Sequence, residues 1–456
     1  MTPSEFFEQY QRVSPIELRA CLASYATLTR PTQTGAPTLA RMERLLTELG
    51  QPHKELRVIH VAGTSGKGSV TTLIARLLQT QGFKTGMTAS PHVRDLRERL
   101  QIDGTMISAE LLCVFLQKIF PHLTQWAKRG EQLPHYFELM TALALYWFHK
   151  EQVDYVVLET GIGGRFDASN SVRALNKICV FTPIDLDHQR LLGDTRAKIA
   201  LEKAGIMSEE GLAWSAPQSE EVKEVLIQVA THKRVQMRFV ELLEANNVEV
   251  SEKGTFFTEP SSLESIPRRR LNLFGVHQAQ NAVLALAVLR GLAHRDQRSI
   301  DERSIDTCLD SLTLPARFER YALGKRSVIV DGAHNPHKFE SLLETVLRIF
   351  PDEPLTLILG LSTVDHAFAL AELFSRYSLQ IVLADFQVGD QFTAYKLADV
   401  DVLATLFKER GCPVRIIKDL SLFLKDPVTQ SSPGPLIISG SFYLASHTLS
   451  ILDQIC

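Results

Sequence analysis

Residues 56–82, LRVIHVAGTSGKGSVTTLIARLLQTQG, contain the pattern from which the architecture of this chain is derived. The mostly apolar run at residues 56–62 predicts a buried strand. The loop GTSGKGS follows, and apolar residues that recur at helical spacing from Val70 predict a helix that ends near Gly82. A strand, a glycine-rich loop and a helix in this order are typical of a phosphate-binding loop.

The loop AGTSGKGSV, residues 62–70, suits phosphate oxygens for two physical reasons. Glycines allow backbone N–H groups to turn toward an anion, and the N-terminus of the following helix adds a favourable dipole. Lys67 would bring a positive charge to the β- and γ-phosphates of a nucleotide. The strict pattern GxxxxGK[ST] is not met, because Val61 occupies its first glycine position and Gly68 follows the lysine. Taken alone, the loop is also compatible with a structural turn.

The alternation of short apolar strands and amphipathic helices continues along the chain and predicts an α/β fold with largely parallel sheets. Residues 153–159, VDYVVLE, form a second strong strand prediction. The last third contains about five strand–helix units, enough for a small doubly wound domain. A polar, charge-rich stretch at residues 294–314 precedes them. We therefore expect two domains, residues 1–313 and 314–456.

Composition excludes several classes of protein. The 456 residues carry 49 Lys plus Arg and 52 Asp plus Glu, and this balance argues against a nucleic-acid partner. The N-terminus lacks a basic segment followed by an apolar one, so we expect no secretory signal. The longest apolar runs are shorter than the roughly 20 residues that span a membrane, which argues against a membrane protein.

Six scattered cysteines form no CxxC pair, which argues against a disulfide framework or a zinc site. Unpaired cysteines of this kind fit the reducing cytoplasm. Because no long apolar edge or heptad repeat is visible, we expect a monomer. The least readable segment, residues 209–270, is expected to hold a hairpin or a mobile insertion. Its basic cluster, residues 268–270, is expected to be a solvated loop.

Polar residues follow several predicted strands at their carboxyl ends, where open α/β sheets bind ligands. Glu159 closes the strand VVLE and is compatible with a Mg²⁺ ligand or with a solvent-exposed carboxylate. IDLDHQRLLG, residues 184–193, follows the strand ICVFTPI, and VDGAHNP, residues 330–336, ends the first strand of the second domain. Both domains thus direct polar loops outward, which predicts a ligand held between them.

These motifs, in this order, resemble the folylpolyglutamate synthase/dihydrofolate synthase family, relatives of the Mur ligases of cell-wall synthesis. The resemblance is carried by HVAGTSGKGSV, TASPHVRDLRERLQIDG, YFE, VVLETGIGGRFDASN, IDLDHQRLLG, IALEKAGI, GVHQAQNA, PARFE, VDGAHNP and SGSFYL. It implies a P-loop ATPase domain followed by a smaller Rossmann-like domain. It also implies ATP-dependent addition of L-glutamate to dihydropteroate or a folate through an acyl phosphate, with release of ADP and phosphate.

The resemblance also implies roles for individual residues in nucleotide and metal binding. The triphosphate would be cradled by Gly63, Thr64, Ser65, Gly66, Lys67, Gly68 and Ser69. Further nucleotide contacts would come from Asn281, Arg317 and Asp331. Two Mg²⁺ ions are implied, the first held by Ser90 and Glu159 and the second by His188.

Four more residues receive roles from the resemblance. Lys203 would be carbamylated beside the metal, the alternative being a surface lysine paired with Glu202. His334 would organise the γ-phosphate and the incoming amine. Phe137 and Ala168 would contact dihydropteroate. Phe137 also lies at helical spacing with apolar neighbours, so a core position is equally compatible with the pattern.

The chain departs from the family pattern at several positions, and most of them concern the acceptor side of the site. Ser65 stands where Asn is usual, a mild change in the loop. His135 and Lys338 replace small residues, and Ala316 replaces a glycine, which asks for a slightly different backbone. The stretch LSTVDHA lacks the lysine that the family often shows.

Three other functions remain open at this point. A Mur-type ligase for a nucleotide-linked peptide is disfavoured by the lack of an additional N-terminal domain. A non-catalytic P-loop switch is disfavoured because no [NT]KxD motif is present and the residues Ser90, Glu159, His188 and Lys203 are retained. A ligase of this family with a different carboxylate acceptor is the third alternative.

Overall fold

The computed structural model describes residues 1–29, 36–173, 177–260, 268–386 and 398–455. Within these ranges the chain forms one large parallel-rich sheet, a small antiparallel sheet and a second parallel-rich sheet. The predicted α/β class, with a P-loop-type first part and a smaller Rossmann-like second part, is confirmed. No helix within the described ranges is long and apolar enough to cross a membrane.

The first sheet contains the predicted strand–loop–helix unit at its centre. Its strands are β1 (Val58–Ala62), β2 (Thr85–Thr88), β3 (Gln101–Ile102), β4 (Thr105–Met106), β5 (Tyr155–Glu159), β6 (Ile178–Phe181), β7 (Leu212–Ser215) and β8 (Gln236–Phe239). The order is β4-β3-β2-β5-β1-β6-β7-β8, and only the β2–β3 and β3–β4 pairs are antiparallel. Every residue of β1 is buried, as expected for a central parallel strand covered on both faces.

Helices surround this sheet, and α4 continues directly from the glycine-rich loop. They are α1 (Pro3–Gln9), α2 (Leu18–Leu28), α3 (Ala36–Glu48), α4 (Lys67–Thr80), α5 (Ala109–Lys128), α6 (Tyr136–Lys150), α7 (Gln189–Leu192), α8 (Arg196–Ala204) and α9 (Glu220–His232). Short 3-10 turns lie at Pro52–Lys54, Leu96–Arg99 and Ala168–Ser171. Val70 and Leu73 lie on the buried face of α4, as predicted from their spacing.

A three-stranded antiparallel sheet follows, built from β9 (Val248–Ser251), β10 (Gly254–Phe257) and β11 (Arg269–Leu271). A 3-10 turn at Ala245–Asn247 precedes it, and α10 (Val276–Arg295) and α11 (Glu302–Ser311) come after it. The β9–β10 pair is the hairpin expected within residues 209–270.

The expectation that residues 268–270 form a solvated loop was wrong. Arg269 and Arg270 belong to β11, and the Arg269 side chain is only 1% exposed. Its guanidinium donates to Glu259 at 2.7 Å and also pairs with Glu302 and Asp306. Burial of this arginine is tolerated because three carboxylates neutralise its charge.

The last sheet has β12 (Glu319–Leu323), β13 (Arg326–Val330), β14 (Leu355–Leu359), β15 (Leu379–Ala384), β16 (Val414–Ile417) and β17 (Leu436–Ser439). Their order is β12-β13-β17-β14-β15-β16, and only β12 runs antiparallel. The accompanying helices are α12 (Pro336–Ile349), α13 (Ala367–Phe374), α14 (Val400–Glu409), α15 (Leu420–Lys425), α16 (Pro427–Ser431) and α17 (Phe442–Ile455). The five predicted parallel strands are confirmed, whereas the edge strand β12 was not predicted.

One hydrophobic cluster joins the first sheet to the last. Ile59 of β1, Leu284 of α10 and Ile329 of β13 are fully buried members of that cluster. Helix α10 packs against α4 on one side and against α12 on the other. This packing fixes the carboxyl ends of β1 and β13 near a common cavity.

Candidate active site

A cavity of about 1490 Å³ is lined by residues from both parallel-rich sheets. The glycine-rich loop lies on one side of it and the loop after β13 on the other. The predicted residues that line it are Thr64, Ser65, Gly66, Lys67, Gly68, Ser69, Ser90, Phe137, Glu159, Ala168, His188, Asn281, Arg317, Asp331 and His334. Gly63 and Lys203 lie behind this lining, so the structure brings nearly all predicted residues to one place.

The glycine-rich loop is held by the segment that follows β6. The N–H groups of Thr64 and Ser65 donate to the Pro183 carbonyl at 2.9 and 3.3 Å. Gly66 has φ +84°, a left-handed conformation that disfavours side chains. At Gly63, φ is +154° and an added Cβ would lie 1.9 Å from Thr182 Oγ1, so only glycine fits there.

Two lysines converge on the carbonyl oxygen of Gly63. Lys67 Nζ donates to it at 3.1 Å, and Lys203 Nζ, from α8, donates at 2.8 Å. Lys203 is 4% exposed. Burial, and then the charge of Lys67, lower the pKa of Lys203 to about 7. Lys203 is therefore not the surface lysine that the sequence left as an alternative.

Ser90 and Glu159 lie side by side at the ends of neighbouring strands. The Ser90 N–H donates to Glu159 Oε2 at 2.7 Å, and Glu159 is 4% exposed. Burial raises the pKa of Glu159, while the charge of Lys67 opposes this shift. A hydroxyl and a buried carboxylate that face a phosphate-binding loop are an oxygen donor set of the kind that Mg²⁺ takes. The alternative of a solvent-exposed carboxylate is wrong.

His188 lies on the loop after β6 and lines the same cavity. Its backbone has φ +49°, and its N–H donates to the neighbouring Asp187 at 2.9 Å. Its side chain is 48% exposed. No group of three His, Cys, Asp or Glu side chains is placed to hold a metal within the residues that the structure describes. An ion here would take most of its ligands from phosphate and water, as Mg²⁺ commonly does.

Asp331 organises the opposite wall of the cavity. Its carboxylate accepts from the N–H groups of Phe318 and Ala333, both at 2.8 Å. Burial raises the pKa of Asp331, and Arg317 is the main group that opposes this shift. The Arg317 guanidinium stacks 4.5 Å from the ring centre of Phe442. Asp331 thus ties residues 315–318, the linker that precedes β12, to the loop that carries His334.

Ala316 adopts the backbone conformation that glycine favours. Its φ is +52°, and Phe318, two residues later, has φ +51°. The expected difference from the backbone of the family's glycine stays a prediction. The strained turn is held by the Ala316 N–H, which donates to Glu319 at 2.9 Å, and by its carbonyl, which accepts from Gly332 at 2.9 Å.

Asn281 contacts the glycine-rich loop from α10. A Cβ added to Gly66 would lie 2.7 Å from Asn281 Oδ1, so this side chain packs directly on the loop. Asn281 Nδ2 also donates to Gln278 at 3.2 Å. Asn281 is 5% exposed and lines the cavity beside the loop.

Phe137 occupies the first turn of α6, between the cavity and the buried core. Its ring lines the cavity and lies against Gly161, where an added Cβ would be 2.9 Å from Phe137 Cζ. It also packs on the buried cluster around α5 and α6. Ala168, 1% exposed, lines the cavity nearby.

One contact in the cavity was not predicted from the sequence. Lys338 Nζ lies 3.0 Å from His334 Nε2, one helical turn away on α12. The two residues lie four positions apart on either side of the N-cap Asn335, and this i, i+4 spacing is the signal that could have indicated the contact.

Comparison with known proteins gives a consistent picture. The Mur ligase middle domain family matches residues 61–289. The chain is 33% identical to the dihydrofolate synthase/folylpolyglutamate synthase of Bacillus subtilis over 368 residues, 76% of this chain and 84% of that relative. It is 28% identical to the dihydrofolate synthetase of Saccharomyces cerevisiae over 425 residues, 91% of this chain and 97% of that relative.

Solved structures agree over nearly the whole length. The folylpolyglutamate synthase of Mycobacterium tuberculosis complexed with ADP superposes with a TM-score of 0.82 at 27% identity, covering 96% of this chain and 99% of the other. An FPGS–AMPPCP–folate complex gives a TM-score of 0.79 at 26% identity, covering 96% of this chain and 98% of the other.

Gly63→Ala tests the geometry of the glycine-rich loop. The new methyl group would collide with Thr182, so we expect binding of a non-hydrolysable ATP analogue to weaken by at least about 10-fold, measured by calorimetry. Gly82→Ala is the matched control, because it also has positive φ but an added Cβ meets nothing within 4 Å. Equal affinities for the two variants would contradict the assigned role of the loop.

Proposed function

The chain belongs to the dihydrofolate synthase/folylpolyglutamate synthase family of ATP-dependent glutamate ligases, and we propose that it joins L-glutamate to dihydropteroate, to a folate, or to both. The observation that carries this proposal is the single cavity in which a phosphate-binding loop on the first sheet faces the Asp331–His334 loop of the last sheet. A ligase of this kind must hold a triphosphate and a carboxylate acceptor together, and the cavity offers both a cationic and an apolar part.

The cationic part suits phosphoryl transfer to a carboxylate. A carboxylate resists nucleophiles because of its negative charge, and conversion to an acyl phosphate removes this barrier. The chain positions the substrates and neutralises their charge. Lys67 lies at the glycine-rich loop, and Arg317 lines the cavity from the linker before β12. Attack by the glutamate amine on the acyl carbon then expels phosphate.

We propose that Ser90 and Glu159 bind one Mg²⁺ ion and that His188 binds a second. The bound ions would neutralise charge on the β- and γ-phosphates. The buried Glu159 carboxylate supports this assignment, because burial raises its pKa and a bound cation would stabilise its charged form. Asn281 and Asp331 would complete the nucleotide site. Asn281 would hold the glycine-rich loop in place, and Asp331 would hold the linker before β12.

The apolar part of the cavity supports a flat acceptor. Leu18 and Leu22 of α2 line it together with Phe137 and Ala168. A volume of about 1490 Å³ exceeds the 300–1,000 Å³ typical of small-molecule sites, so it can hold a nucleotide and a second substrate together. The Phe137 ring would lie against a pterin face.

We also propose that the chain forms two domains, residues 1–313 and 314–456, that it is a monomer, and that it is located in the cytoplasm. The last sheet begins at Glu319, close to the boundary between residues 1–313 and 314–456. The chain would act as a monomer on small-molecule substrates, because residues from both parts of one chain line the cavity. Five buried cysteines are thiols, the form that the cytoplasm maintains.

Phosphate release with ATP, Mg²⁺ and glutamate tests the proposed reaction directly. We expect release above background with dihydropteroate, with tetrahydrofolate, or with both, and little without an acceptor. Lys67→Ala should reduce acceptor-dependent release by at least about 100-fold, because the triphosphate loses its loop cation. Glutamate ligation to neither acceptor by a folded, ATP-binding protein would sink the proposal and point to a different carboxylate acceptor.

We propose that Lys203 is carbamylated. Its neutral amine would attack CO₂ to form a carbamate and release a proton, and a pKa of about 7 makes this amine available near neutral pH. Two ammonium groups now share the Gly63 carbonyl, so an anionic carbamate would replace their repulsion by attraction to Lys67. Because a proton is released, carbamylation should increase as the pH rises through 7.

Lys203→Ala tests this modification. We expect turnover to fall by about 100-fold or more and to recover in part with added acetate, which restores the lost negative charge. Labelling with ¹³C-bicarbonate should give a carbamate signal in the wild type that is missing in the variant. Lys198→Ala on the same helix is the control, since its side chain is 63% exposed and pairs with Asp194. Full activity of Lys203→Ala would refute the modification's role.

A further inference from the structure

The pair formed by His334 and Lys338 is the feature of the cavity that the proposed reaction has not yet used. His334 Nδ1 lies 2.9 Å from the Gly332 carbonyl, and Lys338 Nζ lies 3.0 Å from His334 Nε2. Because a carbonyl can only accept, these partners assign the hydrogen to Nδ1 and the lone pair to Nε2. The Lys338 ammonium therefore donates to a neutral imidazole.

This contact gives Lys338 a neutral partner in place of a carboxylate. Burial, and then the charge of Lys338 itself, lower the pKa of His334 to about 3, so the ring stays neutral at physiological pH. Within the described part of the chain, no carboxylate oxygen lies within 4.0 Å of Lys338 Nζ. The ammonium keeps two N–H donors for another partner.

The position of Lys338 in its helix is unfavourable for a cation. It is the third residue of α12, and its own N–H donates to the N-cap Asn335 at 3.0 Å. A positive side chain in the first turn is repelled by the helix dipole. Lysine and dipole together present positive charge to the cavity, which is an arrangement that an anion would stabilise.

The charges around Lys338 indicate which anion it faces. Burial lowers the pKa of Lys338 to about 8. The charges of Lys67 and Arg317 lower it as well, whereas the carboxylates of Asp187 and Asp331 oppose the shift. Lys67 belongs to the loop on the first sheet, whereas Lys338 belongs to the last sheet. The two ammonium groups thus approach one region of the cavity from different parts of the fold.

We propose that Lys338 is a further catalytic residue, whose ammonium binds an oxygen of the γ-phosphoryl group as that group passes from ATP to the acceptor carboxylate. This proposal rests on the proposed ligase function. A carboxylate oxygen forms a bond to the γ-phosphorus while the bond to the β–γ bridging oxygen breaks, and the electron pair stays on ADP. Lys67 and Lys338 neutralise the transferred group from two sides.

Two variants separate this role from a merely structural one. Lys338→Met removes the charge, whereas Lys338→Gln removes the charge but keeps an N–H donor for His334. For both we expect the β,γ-methylene analogue of ATP to bind about 10-fold more weakly, with ADP affinity within about 2-fold, by calorimetry with Mg²⁺. We expect kcat to fall by about 100-fold while the KM for glutamate stays within about 2-fold.

The matched control is Lys325→Met, an exposed lysine in the turn between β12 and β13, which should behave as the wild type. Equal weakening of ADP and the analogue, or no weakening of either, would overturn the proposal. A selective rise in the KM for glutamate would also overturn it and assign Lys338 to the glutamate carboxylate. Wild-type properties of Lys338→Gln would leave only a positioning role toward His334.

The binding comparison stands apart from the test of the ligase reaction. It needs neither acceptor nor turnover, so a wild type that ligates glutamate to no acceptor would refute the proposed function and leave the phosphate contact measurable. If Lys338→Met does not melt cooperatively, the same comparison with Lys338→Gln decides the outcome.

Discussion

Repulsion among cations that are gathered at one cavity is the constraint on which the rest of this site depends. Lys67 lowers the pKa of both Lys203 and Lys338, each of which is already destabilised by burial. Arg317 is buried in the same cavity and its pKa is lowered as well, again mainly by burial. Glu159, Asp187 and Asp331 offset part of this repulsion, and a bound triphosphate would offset more of it.

The scaffold keeps these charges together against their repulsion. Lys67 begins α4, Lys203 lies on α8, and Lys338 lies in the first turn of α12. The hydrophobic cluster that runs from β1 through α10 to β13 prevents the two sheets from moving apart without exposing apolar surface. Hydrogen bonds to the Asp331 carboxylate then fix the linker before β12 against the loop that carries His334. Packing of the hydrophobic core thus offsets the unfavourable repulsion among the charged residues of the site.

Periodicity in the sequence was sufficient to predict those strands and helices whose apolar residues are also the buried ones. The unit β1–loop–α4 and the parallel strands of the last sheet follow from apolar runs and helical spacing alone. Edge strand β12 was missed because Glu319–Leu323 is only half-buried and has no strong apolar pattern. Arg269 was misjudged because the carboxylates that neutralise it come from distant segments.

Site residues could be predicted from the sequence where they belong to a recognisable motif. The backbone conformation of the site and the assembly of its pocket could not be predicted in this way. Ala316 has a positive φ, which alanine does not favour. Hydrogen bonds to Glu319 and Gly332, which form only in the folded chain, hold it in this conformation. The acceptor end of the cavity is assembled from α2, α6 and a 3-10 turn that are far apart in sequence. Nothing local in those segments shows that they share one pocket.

Oxygen transfer is the measurement that most directly tests the central claim, activation of a carboxylate by phosphorylation. The acceptor carboxylate is labelled with ¹⁸O, the ligation is run with ATP and glutamate, and the released phosphate is analysed by mass spectrometry. An acyl phosphate predicts one ¹⁸O atom in each phosphate released per glutamate joined. Unlabelled phosphate alongside normal ligation would contradict the account, because the carboxylate oxygen would then never have been bonded to phosphorus.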